Sequence, residues 1–191
     1  MRRRRSSLPD APVLRTDRLV LRPWRTSARE PFAALNADPE VTEFFPSLLP
    51  RDVSDAFADR IEAAMERDGW GLWAVEVVDG DPFVGFVGMA MPGFDAPFKP
   101  CVEIGWRLAR SAWGHGYAAE AAREALRFAF DDLAFTEVQS WTAVGNVRSQ
   151  AVMRRIGMTH DPVDDFDHPA LPEGHPLRPH VRYRIRPAAP T

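Results

Sequence analysis

A single acid, Glu103, stands in a mostly apolar run (residues 102–108) that leads into a loop where Gly114 and Gly116 bracket His115. An alanine-rich segment with helical spacing opens at Tyr117. A strand, a glycine-containing turn and a helix start together make an anion site. Glycine lets the backbone approach closely, and the first N–H groups of a helix lack internal acceptors and lie at the positive end of its dipole. The chemistry implied is capture of a phosphate-bearing ligand, with the strand acid available for proton transfer beside it. On residues alone, the two glycines equally suit a tight turn that holds nothing, and Glu103 an outward-facing strand acid.

What the loop lacks narrows the ligand. A P-loop needs Lys and then Ser or Thr after its last glycine, and Tyr117 and Ala118 stand there instead. A dinucleotide fingerprint needs three glycines and a later acid ending a second strand, and only two glycines are present. An acid two residues before Gly105, followed by Trp113-Gly114-His115-Gly116-Tyr117-Ala118-Ala119-Glu120-Ala121, resembles the acyl-coenzyme-A-binding motif of the GNAT superfamily of N-acetyltransferases, in its RimJ/RimL-type branch. Asn146, Ser149 and Gly157-Met158 resemble a second block of the same family, and the likeness extends over residues 14–185. Ser111, with Arg110 adjacent, departs from the Gln or Arg that the wider superfamily often has at that position, which leaves the phosphate grip to the main chain.

The resemblance implies an α/β, single-domain fold: a mixed central sheet with splayed fourth and fifth strands, helices on both faces, and the coenzyme in the gap. It implies acetyl-CoA as cosubstrate and no metal. Backbone groups of Trp106 and Leu108 would meet the pantetheine arm. The loop from Ser111 through Trp113, Gly114, His115, Gly116, Tyr117 and Ala118 would hold the pyrophosphate, and Asn146 would serve as coenzyme contact or helix cap. Glu103 would act as general base, directly or through an ordered water, with an N–H near Trp106 as oxyanion donor. Many relatives protonate the leaving thiolate with a tyrosine on the helix after the fifth strand. This chain has two tyrosines, Tyr117 and Tyr183, and neither stands there, so Ser149 is the available hydroxyl.

The acceptor must present a neutral amine. At pH 7 a lysine-like amine costs about 4.6 kcal/mol to deprotonate and an α-amine about 1 kcal/mol. Phe44 and Phe45, between the two early helices, are candidate walls of the acceptor pocket or core plugs. Trp70 and Trp73 alternate out of phase, so at most one can line that pocket. Asp165 and Asp167, in an acidic loop, are candidate attractors for a cationic amine. With His168, His175 and His180 that loop also invites a metal reading, which its irregular spacing across prolines disfavours.

The elements that must position these groups follow from periodicity. Strands are expected at residues 18–22, 70–78, 82–90, 102–108, 137–143 and 180–186, with a short one after Gly157. Helices are expected at 28–37, 52–67, 117–132 and 147–156, the second with Phe57, Ile61, Ala64 and Met65 on one face. The segment 164–179 reads as a loop. At 191 residues this is one domain: a disordered basic leader over 1–12, the N-acetyltransferase domain over 13–187 and a tail over 188–191. A net charge of −3 argues against general nucleic-acid binding. No run is long and apolar enough for a membrane span, and one cysteine, Cys101, excludes an internal disulfide and favours a reducing, cytoplasmic setting.

The expected partners are an amine-bearing small molecule, a peptide or a protein N-terminus, with neither membrane nor nucleic acid, and a homodimer is compatible with this reading. Two other classes remain open on the sequence: a catalytically silent coenzyme-A-binding regulatory protein, and a ribosome- or RNA-associated modifier attached through Arg2–Arg5.

Overall fold

The computed structural model describes residues 11–188, and the four arginines of the leader lie outside them. Nine strands among the described residues form one sheet. They are β1 (Leu14–Arg15), β2 (Leu19–Arg22), β3 (Leu72–Val77), β4 (Gly85–Ala90), β5 (Glu103–Leu108), β6 (Val138–Ala143), β7 (Thr159–His160), β8 (Phe166–Asp167) and β9 (Pro179–Ile185). Their order is β1-β2-β3-β4-β5-β6-β9-β7, with β8 also on β9. Four α-helices accompany them: α1 (Arg29–Asn36), α2 (Arg51–Asp68), α3 (Tyr117–Arg127) and α4 (Val147–Arg155). No helix among the described residues is long and apolar enough to cross a membrane.

The sheet is mixed. β4 and β5 pair antiparallel over their whole length, from Gly85 opposite Leu108 to Ala90 opposite Glu103. β6 and β9 do likewise from Val138 opposite Ile185 to Ala143 opposite His180. Between these zipped halves, β5 and β6 run parallel and share a single rung, Glu103 opposite Gln139. The crossover between them is filled by α3, as a parallel connection requires. The halves therefore part beyond Glu103, and these are the fourth and fifth strands of the sequence reading, renumbered because the two-residue β1 carries too little pattern to be read.

Pleat alternation sorts the layers. Trp73, Val75, Val87 and Met89 are fully buried on one face, where Trp73 meets Phe128 just past α3 edge to face at 5.7 Å. Phe86 on the other face meets Phe32 of α1 at 6.0 Å and Phe57 of α2 at 6.1 Å. α3 can lie close on the sheet because its inward residues are small: Ala119, Ala121, Ala122 and Ala125 are buried with Leu126. A π-turn at Phe128–Asp132 extends it to the expected end.

The structure departs from the sequence reading in particulars. α2 buries Ser54, Ala58, Ile61 and Met65, not Ala64, so its inward face is rotated from the expected stripe. The segment 164–179 contains β8, which pairs with β9. Ala11 is buried and the Trp73 indole donates to the Pro12 carbonyl at 2.8 Å, so the packed body begins before residue 13.

Candidate active site

The glycine loop is built as a cradle. Gly114 and Gly116 have φ of 80° and 81°, and Gly116 is the N-cap of α3. Those left-handed conformations turn successive N–H groups the same way. Among the described residues, the first main-chain donor with a partner after Trp113 is Glu120, to the Gly116 carbonyl at 3.1 Å. Among the described residues, nothing accepts from the N–H groups of residues 114–119. Glu120 itself fixes the helix start: its carboxylate accepts from Thr16 Oγ1 at 2.6 Å and from Arg18 Nε at 2.8 Å, tying α3 to the β1–β2 turn. Arg18 Nη1 also donates to the His115 carbonyl at 3.1 Å.

The parted strands open onto a cavity of about 820 Å³. At one end lies the cradle, represented by Gly114, Gly116, Tyr117 and Ala118, with Arg148 and Arg155 nearby. Glu103 lines the other end, at the single rung joining the sheet halves. Burial raises its carboxyl from the ordinary 4.5 to about 8, because an enclosed carboxylate loses hydration that no cation here replaces. Unpartnered amides and cations at one end suit a ligand bearing several negative charges; a proton-exchanging acid at the other suits chemistry at its tip.

Comparison with known proteins agrees with that geometry. Residues 18–159 match the acetyltransferase (GNAT) domain. The chain belongs to the GNAT acetyltransferase family.

Its relatives include the FsC-acetyl coenzyme A-N(2)-transacetylase of Aspergillus fumigatus, 35% identical over 91% of this chain and 76% of the relative. YkkB of Bacillus subtilis is 30% identical over 75% of this chain and 83% of that protein. Among solved structures, an acetyltransferase from Agrobacterium tumefaciens superposes with a TM-score of 0.75 at 27% identity, covering 96% of this chain and 99% of that one. A GNAT acetyltransferase from Bacillus anthracis shares the fold at 20% identity, with a TM-score of 0.74 over 91% and 98% of the two chains. This protein is thus an acetyl-CoA-dependent N-acetyltransferase.

Most of the residues singled out in the acetyltransferase sequence meet in this one cavity. Glu103, Trp106, Leu108, Trp113, Gly114, Gly116, Tyr117, Ala118, Asn146, Ser149, Phe44 and Phe45 all line it. Ser149 sits in the first turn of α4, where its N–H donates to Asn146 Oδ1 at 3.1 Å. Asn146 Nδ2 donates to Thr142 Oγ1 at 2.9 Å, so both ends of that amide serve the helix start.

Four candidates fall outside the cavity lining. Ser111 is exposed in the turn before Trp113, and the exposed His115 ring stacks on Tyr117 at 5.2 Å. Asp165 is held by His160 at 2.7 Å, and Asp167 by Arg178 at 3.1 Å. Those acids brace the segment around β8 and do not line the cavity. Neither tryptophan lines the cavity either: Trp73 is core and Trp70 packs on Phe135 at 5.4 Å, while Leu72 between them reaches it.

The structure adds groups the sequence did not single out as lining. Phe94, Trp141, His168 and His180 wall the cavity near Glu103, with His168 at 4.5 Å from Phe94 and 5.0 Å from His180. Burial lowers the pKa of both imidazoles. Arg107 lines the cavity as well, over Phe45. Phe94, Trp141, His180 and His168 come from the β4–β5 connection, β6, β9 and the segment after β8, and no local spacing links them. Cys101 is buried outside the cavity, and burial raises its thiol pKa, which makes it a poor nucleophile.

Proposed function

We propose that the acetyltransferase, in the RimJ/RimL-type branch, moves acetyl from acetyl-CoA to a primary amine by direct attack with both substrates bound. The observation that carries this reading is Glu103 at the join of the splayed strands, facing the same cavity as the unpartnered amides of the cradle. The loop main chain from residue 114 to 119 grips the pyrophosphate, and the edge of β5 at Trp106 and Leu108 holds the pantetheine arm. Glu103, directly or through an ordered water, removes a proton from the incoming ammonium. The amine nitrogen then bonds to the thioester carbonyl carbon while an N–H near Trp106 donates to its oxygen. As the carbonyl re-forms and the carbon–sulfur bond breaks, the nitrogen's second proton passes through the Ser149 hydroxyl to the departing sulfur, leaving the amide and the coenzyme thiol. The buried, high-pKa Cys101 thiol supports transfer without an acyl-enzyme.

The acceptor reading favours a small amine over a protein N-terminus. The 35%-identical Aspergillus relative is named for transfer to an N(2) position of FsC. Phe44 and Phe45 form the acceptor wall, whereas Asp165 and Asp167, bound in their ion pairs, take no part.

Calorimetry with acetyl-CoA, followed by thiol-release assays over α-amines, ω-amines and dipeptides, tests the proposal. Tight acetyl-CoA binding with amine-dependent thiol release is expected. Absence of heat with acetyl-CoA would remove the reading, and binding without turnover of any amine would leave a coenzyme-binding protein.

A further inference from the structure

Arg107 is a buried cation that acetyl transfer, as read above, leaves without a role. It is 9% exposed, on β5 four residues beyond Glu103. Its guanidinium lies 3.9 Å from the centroid of the Phe45 ring, with Phe86 at 5.6 Å. Nη1 donates to Asn36 Oδ1, and Asn36 Nδ2 donates to Ser54 Oγ at 2.8 Å. Asn36 and Ser54 are completely buried, so this polar chain is anchored under α1 and α2 and ends at the cavity.

What the chain lacks is an anion. Nε of Arg107 is buried without an acceptor, and no carboxylate among the described residues lies within ion-pair distance. The two acids on the neighbouring segment are taken: Glu40 pairs with Arg110 at 2.7 Å and Glu43 with Arg148. Burial lowers the Arg107 pKa to about 10, which leaves it charged at neutral pH. A guanidinium kept dry without a counter-charge is costly, and its fork matches a carboxylate.

Strand alternation puts Glu103, Gly105 and Arg107 on one face of β5. A Cβ on Gly105 would meet nothing within 4 Å, so the space between the two charged groups is open. We infer that Arg107 recognises a carboxylate on the acceptor: the enzyme takes amines that carry a carboxylate at their far end, laid over Gly105 with the nitrogen toward Glu103. This rests on the proposed role of Glu103. Four residues of strand span about 13 Å. Allowing a hydrogen bond of about 3 Å at each end leaves about 7 Å from nitrogen to carboxylate. That spacing suits an ω-amino acid or a dipeptide and is too long for an α-amino acid.

The test compares 6-aminohexanoate with hexylamine and 6-aminohexanamide in thiol-release assays at saturating acetyl-CoA, with hexanoate as inhibitor. A kcat/KM higher for 6-aminohexanoate by roughly 10- to 150-fold is expected, from a charge-assisted hydrogen bond. Hexanoate should compete with the amine and not with acetyl-CoA. R107Q should bring 6-aminohexanoate down to the hexylamine level while the KM for acetyl-CoA stays unchanged. If R107Q does not fold, the wild-type preference and the hexanoate competition decide. Equal use of the amines, or no turnover and no binding of hexanoate to the coenzyme-A-loaded protein, overturns the inference. So does an R107Q defect confined to the KM for acetyl-CoA. Loss of acetyl-CoA binding by the wild-type protein would instead sink the transferase reading itself.

Discussion

Replacing Glu103 by glutamine separates the proton chemistry of the site from its packing. In the folded protein the carboxyl pKa stands at about 8 against an ordinary 4.5, so the native state keeps a proton that the unfolded chain releases. Below pH 4.5 both states are protonated and Glu103 costs nothing. Between 4.5 and 8 stability falls as pH rises, and above 8 the loss is complete. At about 1.4 kcal/mol per pKa unit, the cost is about 1 kcal/mol at pH 5, about 3 at pH 7 and nearly 5 at pH 9. Glu103 is only half-buried by surface area, and solvent entering the cavity screens its charge, so these figures are ceilings. Glutamine fills the same space and cannot ionise. Urea denaturation of wild type and E103Q from pH 5 to 9 should therefore show the variant gaining stability relative to wild type as pH rises, by about 2.5 kcal/mol between pH 5 and 7 at most. Over the same range wild-type kcat/KM should rise toward a plateau above pH 8, and E103Q should lose roughly 10²- to 10⁴-fold in rate. A stability difference that stays constant from pH 5 to 9 would refute the claim that burial keeps this acid protonated. A variant with wild-type rates would refute its role as base.

S149A should lower kcat by roughly 10-fold or more with acetyl-CoA affinity unchanged, since the hydroxyl is assigned to sulfur departure alone; stopped-flow rates and calorimetry together check it. G116A forces an alanine to φ of 81°. It should cost about 1–2 kcal/mol in thermal or urea unfolding and weaken acetyl-CoA binding, because the cradle amides then turn away. G85A should be far worse, roughly 3 kcal/mol or more: its Cβ would stand 2.1 Å from the Arg107 carbonyl, at a φ of 137°. Urea unfolding that leaves G85A within 1 kcal/mol of wild type would show that β4 and β5 can move apart there.

How much was legible in the sequence depended on how local each signal is. The helix limits fell within a residue or two of their places because caps and periodicity are local: Asn146 caps α4 through the Ser149 N–H, and Gly157, at φ of 89°, follows its end. The glycine cradle was legible for the same reason, since strand, turn and helix start are contiguous. The inward face of α2 was misjudged because Ser54 is buried by a hydrogen bond from Asn36, a partner on another helix.

The chain's residue order by itself determined a glycine cradle at a helix start and a lone acid on the strand before it, because chain neighbours suffice for those. Only the tertiary structure decided what that acid is, since its high pKa comes from enclosure by segments far apart in sequence. It also decided which charges are spent. Asp165 and Asp167 find arginine or histidine partners and leave the site, while Arg107, ordinary in a strand, lines the cavity with no acid in ion-pair reach among the described residues. Pairing of charges across a fold is a property of distances between elements, and spacing along the chain does not encode it.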